Sequence, residues 1–153
     1  MATPTPIKYQ YCACSLVAWV SRIAELAVFN CKLTWLLGKY EGTNAQDIYL
    51  ADATADFTAD FCNAWVISVK GDEAAKAEYH EKQQPHFLAS LDRFLALRNG
   101  PYILGDEATY TDFVVYALLV DIHPDISNLP HIKAFWETFS ARPAIKGFKN
   151  SVA

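Results

Sequence analysis

Gly105-Asp106-Glu107-Ala108-Thr109-Tyr110-Thr111-Asp112-Phe113 places Thr109 and Asp112 at the Ser/Thr-x-x-acid spacing that closes a helix N-terminus. With Thr109 as N-cap, its hydroxyl accepts the Asp112 N–H. The Asp112 carboxylate reaches back to the Thr109 N–H and meets the positive end of the helix dipole. The run that follows, Phe113-Val114-Val115-Tyr116-Ala117-Leu118-Leu119-Val120, is apolar nearly all round, which predicts a central, buried helix. Water cannot replace a cap inside a core, so this stretch is a folding signal rather than a catalytic one.

Helical spacing continues on both sides of it. Residues 47–69 read as one long helix closed near Gly71-Asp72, and residues 73–97 as another, which Pro85 should kink or divide. After the Asn99-Gly100-Pro101 turn comes an extended Tyr102-Ile103-Leu104. The capped helix then runs to about Ile122, a loop covers His123-Pro124-Asp125, and a helix spans about 130–140. A last helix starts at Pro143, where a first-turn proline has no N–H to lose. Toward the N-terminus, Met1 to Pro6 is an extended arm, and apolar residues recur at helical spacing over 15–40. No repeat, low-complexity tract or useful strand-period segment appears, and the fold class is all-α.

A chain of 153 residues with 52% apolar and 20% charged residues describes an ordered soluble globule. Net charge −4, without clustered Lys and Arg, argues against a nucleic-acid surface. Cys12, Cys14, Cys31 and Cys62 form no Cys-x-x-Cys, and no His pair has zinc-finger spacing, so no metal site is expected. The cysteines read as buried thiols of the cytoplasm or another reducing compartment. Arg22, Glu25, Asn30 and Lys32 interrupt the apolar region 11–37 before it reaches a membrane span, and Lys8 with the run 12–20 matches a signal peptide only in part. His80, His86, His123 and His131 stand in separate contexts and read as surface polar residues.

The stretch 102–113 resembles the capping-box segment of the C-terminal helical domain of glutathione S-transferases. Leu129-Pro130-His131-Ile132-Lys133-Ala134-Phe135 and Ala141-Arg142-Pro143-Ala144-Ile145-Lys146-Gly147-Phe148 resemble that domain's closing helices. Ala108 departs from the family's larger aliphatic residue, which weakens the hydrophobic staple and not the box. The resemblance implies a helical bundle over residues 43–153, preceded at 1–42 by an arm and apolar helices that are a remnant or replacement of the thioredoxin-like domain. Phe29-Asn30 would stand where the family has the Gln/Ser pair that holds the γ-glutamyl group.

Transferase chemistry needs a donor that lowers the thiol pKa of bound glutathione. Tyr9 and Tyr11 are the candidates, with Cys12 and Ser15 beside them; aromatic packing at the start of a bundle is their plainer reading. Asp52, Asp56 and Asp60 step by four along one helix face. By resemblance, Asp60 falls near the acid that reaches the amino group of glutathione in the partner subunit. Tyr49 and Trp65 could line the family's cleft for hydrophobic electrophiles or serve as core aromatics. The reading favours a non-catalytic interaction or assembly module that binds a protein partner or its own copy and needs no cofactor. The alternatives are a glutathione-dependent transferase or ligand carrier, and a membrane-associated subunit anchored by residues 11–37.

Overall fold

The computed structural model describes Tyr40, residues 42–143 and residues 145–146. Among these the protein is all-α, and its only β-type pairing is one isolated bridge between Tyr102 and Gly105. The N-terminal arm and the apolar region up to residue 39 lie outside the described residues, as do residues 147–153.

Helix α1 (Ala45–Lys70) starts where the Asn44 side chain accepts the N–H groups of Gln46 and Asp47. It stops at Gly71, whose N–H closes on the Ile67 and Ser68 carbonyls. Its buried residues Ala51, Thr54, Thr58, Phe61, Cys62 and Val66 follow the spacing of one helix face. Thr54 and Thr58 are polar in that stripe, but each hydroxyl donates to the carbonyl four residues back, at 2.8 and 2.7 Å.

Helix α2 (Glu73–Glu78) passes through a π-helical turn at Tyr79–Gln83 into α3 (Gln84–Ala96) without a loop. The division expected at Pro85 is present, but it is made one turn earlier. The Gln84 N–H reaches back five residues to the Tyr79 carbonyl, and Pro85 follows with no N–H to offer. The widened turn buries the Tyr79 ring completely.

Residues 102–104 are not extended as their sequence suggests. Tyr102 and Gly105 exchange both backbone hydrogen bonds at 3.0 Å, folding the segment into a tight turn that buries Ile103. Glycine decides this outcome. Gly105 sits at φ +101° and Gly100 at φ +138°, and a Cβ at Gly100 would stand 2.3 Å from the Gly105 carbonyl carbon.

Helix α4 (Tyr110–Ile122) packs along α1, and α5 (Pro130–Ala141) packs along α3. The Thr111 hydroxyl of α4 reaches the Ala51 carbonyl of α1 at 2.9 Å and pins the two backbones together. Phe61, Leu91, Leu95, Ile103, Val115, Leu119, Ile132, Phe135 and Phe139 fill the core between these pairs.

Helix α5 has no capping side chain of its own, because Leu129 occupies its N-cap position. Asp92 of α3 supplies the acceptor instead: its Oδ1 takes the N–H groups of His131 and Ile132, both at 3.0 Å. Asp92→Ala should therefore destabilise the protein by about 1–2 kcal/mol, the usual range for a lost cap. The loss should show as a lower urea midpoint with an unchanged slope. A midpoint equal to wild type would mean that water caps α5 equally well.

Candidate functional site

Asp112 is fully buried at the junction of the 102–105 turn and α4. Its Oδ2 accepts the Thr109 N–H at 2.7 Å and the Thr109 hydroxyl at 2.8 Å, and its Oδ1 accepts the Ile103 N–H at 3.0 Å. Both halves of the capping box are present. The half made by the Thr109 side chain is the looser one. The Asp112 N–H bonds the Thr109 carbonyl at 3.2 Å, while the Thr109 hydroxyl gives its proton to the carboxylate. Burial pushes the Asp112 carboxyl above its ordinary range; the Ile103 and Thr109 donors and the Arg142 charge pull it back in part. The box is structural: every acceptor position the carboxylate uses is directed at the chain's own backbone or at Thr109.

Arg142 lies over three aromatic rings, with its guanidinium carbon 5.4 Å from the Phe139 centroid and 5.7 Å from those of Tyr102 and Phe113. It also donates to the Tyr102 hydroxyl at 3.2 Å. The sequence marks Arg142 only as the entry to a last helix. Its place over the aromatic cluster appears only when the turn and two helices are brought together.

The acidic ladder is on the outer face of α1, with Asp52, Asp56 and Asp60 all exposed. Asp52 accepts a hydrogen bond from the Tyr110 hydroxyl, which ties the ladder's first member to the start of α4. Tyr49 is 75% exposed on the same outer face, roughly 20° around the helix from Asp60 at about 100° per residue. Ile67, 69% exposed, falls in line with Tyr49 five turns away by the same geometry. Trp65 is turned away from Asp60 by roughly 140° and packs against the core, so Asp60 shares its helix face with Tyr49 and Ile67 and not with Trp65. Tyr9 and Tyr11, with Cys12 and Ser15, lie outside the described residues. Among the described residues no three His, Cys, Asp or Glu side chains converge on a metal position, and no helix is long and apolar enough to cross a membrane.

A capped and buried α4 crossing a long α1, with α5 closing over the turn, has a counterpart among known proteins. Residues 56–152 match the family described as glutathione S-transferase, C-terminal domain. The chain belongs to that family. It is 24% identical over 111 residues to glutathione S-transferase P 10 of Caenorhabditis elegans, covering 70% of this chain and 53% of the relative. It is 38% identical over 88 residues to glutathione S-transferase P of the same organism, covering 53% of this chain and 42% of the relative. The chain thus spans about half the length of these curated relatives. Two solved structures share the fold at TM-score 0.69 and 22% identity. A Nu-class glutathione S-transferase of Haemonchus contortus matches over 80% of this chain and 65% of its own. A Pi-class enzyme of Onchocerca volvulus matches over 86% and 62%.

Within this helical domain, the sequence pattern located the Thr109/Asp112 box and the Asp52/Asp56/Asp60 ladder. It did not single out Tyr110, whose bond to Asp52 links residues 58 positions apart. The available signal was an aromatic hydroxyl at the first position after an N-cap, a place that faces the neighbouring helix.

Proposed function

We propose that this glutathione S-transferase-family chain acts as a non-catalytic interaction module, using the outer face of α1 to bind a protein partner. The observation that carries the reading is that face itself. Tyr49 and Ile67 stand exposed at its two ends, with Asp56 and Asp60 between them. Large apolar side chains in line on an otherwise polar helix face suit a partner with two apolar recesses, and the acids between them suit a basic centre. Pairing with a second copy is the other form this reading takes. Two antiparallel α1 helices crossing at their middles would set Asp56 of one copy against Asp60 of the other, a repulsion that salt screens.

A glutathione-dependent transferase or ligand carrier is the second reading. It is supported by the names of the C. elegans relatives and by the exposure of Asp60 on the same helix face as Tyr49. Titration calorimetry with reduced glutathione, run beside mass by light scattering at low and high salt, separates the readings. The module reading expects no heat of binding at millimolar glutathione. A self-paired α1 face should also associate more strongly as salt rises, and Ile67→Asp should return it to monomer. Binding at millimolar or tighter would overturn the non-catalytic reading and turn attention to Tyr9, Tyr11 and Asp60. A cytoplasmic or other reducing location fits either reading.

A further inference from the structure

Helix α4 is apolar on nearly every side, and a helix of that kind belongs under cover all round. Thr111, Asp112, Val115, Tyr116, Leu118 and Leu119 are buried, but one arc of its surface is not closed. Phe113 is 37% exposed, and Val114, Ala117 and Val120 are half-buried. At about 100° per residue these four lie within a stripe roughly 120° wide that runs along most of the helix. Phe113, Val114 and Ala117 stand outside the hydrophobic cluster that the rest of α4 helps to build.

Tyr40 ties the chain that precedes it to the head of this stripe. Its carbonyl accepts the Tyr110 N–H at 3.1 Å, satisfying one of the free donors of the first turn, and its ring meets Phe113 edge-on at 5.8 Å. At the far end Asp121 shares the arc, with a buried Oδ2 that has no hydrogen-bond partner among the described residues. A cover for the stripe therefore needs apolar side chains in helical register and a donor at their border. The sequence ahead of Tyr40 holds both. Leu16, Trp19, Val20, Ile23, Leu26 and Ala27 recur at helical spacing, and Arg22, bordering that face, is the only Lys or Arg between Lys8 and Lys32. A helix over 16–27 would be about 17 Å long, enough to cover the rise of about 12 Å from Phe113 to Asp121, and residues 28–39 are long enough to bring it there. We propose that residues 16–27 pack their apolar face along the stripe of Phe113, Val114, Ala117 and Val120, with Arg22 toward Asp121. The outer face of α1 stays free for a partner in this arrangement.

Disulfide trapping in the full chain tests the placement, since two cysteines join only where their Cα atoms lie within about 7 Å. With Cys12, Cys14 and Cys31 replaced by serine and Cys62 buried in α1, Ala117→Cys is paired in turn with Val20→Cys, Ile23→Cys or Ala27→Cys on the apolar face and with Ser21→Cys or Glu25→Cys on the opposite one. Mild oxidation should close an intrachain disulfide in one or more of the first three pairs and in neither of the last two, read by mass after digestion. Ala27→Cys adds only a sulfur atom, which keeps the test open should the larger replacements fail to fold. No intrachain disulfide in any of the three, or equal yields on both faces, overturns the proposal. Links formed only between chains overturn it as well, and place a second copy over the stripe.

Discussion

Asp112→Ala should unfold this protein with the largest loss of any polar substitution, about 3–5 kcal/mol, the range for stripping one partner from a buried charged site. Three donors depend on that carboxylate, the N–H groups of Ile103 and Thr109 and the Thr109 hydroxyl, and all three are sealed from solvent. Removing the acceptor strands them, and it also frees the 102–105 turn from the start of α4. Asp112→Asn keeps the shape but turns one acceptor into a donor facing donors, so its loss should be smaller, about 1–3 kcal/mol. Urea unfolding of the two variants decides the matter. An alanine variant within about 1 kcal/mol of wild type would show that water reaches the box, contrary to its burial.

The same carboxylate sets a pH dependence whose sign follows from its raised pKa. Above the folded-state value Asp112 is ionised both folded and unfolded, and stability has no slope from this group. As pH falls from there toward the ordinary aspartate value, the folded protein takes up the proton first, so this group's contribution to stability rises. Below the unfolded value the gain is complete. The Asp112→Asn curve should lack that rise, so the wild-type advantage over the variant should grow as pH falls through this range. A wild-type advantage that shrinks as pH falls would show that the donors around the carboxylate outweigh its desolvation.

Phe139→Ala is the apolar counterpart, with an expected loss of about 3–5 kcal/mol for a fully buried aromatic ring. Phe139 stacks on Tyr116 at 4.8 Å and meets Phe113 edge-on at 5.0 Å; Phe135 lies at 5.4 Å and Tyr102 at 6.2 Å. Arg142 lies over it as well. Truncation would loosen α5, α4 and the turn together and leave the Arg142 guanidinium without its central ring. Thermal unfolding should show the loss, and Phe139→Leu should recover part of it by refilling the volume. Equal stability of the alanine and leucine variants would argue that the site collapses around any side chain.

Much of this fold was legible because its information is local. The Thr109/Asp112 spacing specified a cap that the structure makes, since a carboxylate three residues past an N-cap lies within reach of that N-cap's N–H. The ladder at intervals of four put Asp52, Asp56 and Asp60 on one face of α1, and the structure makes that face the outer one. Pro85 announced a break but not its form, because whether a helix kinks or widens depends on what the neighbouring turn can bury, and here that was Tyr79. Residues 102–104 read as extended because β-rich composition says nothing of the glycines that fold them back.

Local spacing therefore determined most of the helices and their ends. Tertiary structure alone decided that Asp92 caps a helix 39 residues away, that Tyr110 reaches Asp52, and that Arg142 covers three rings. Caps and periodicity act within a turn or two of chain and so are written in order along it. Contacts across the bundle depend on the angle and depth at which helices cross, which the packing of all their side chains sets at once.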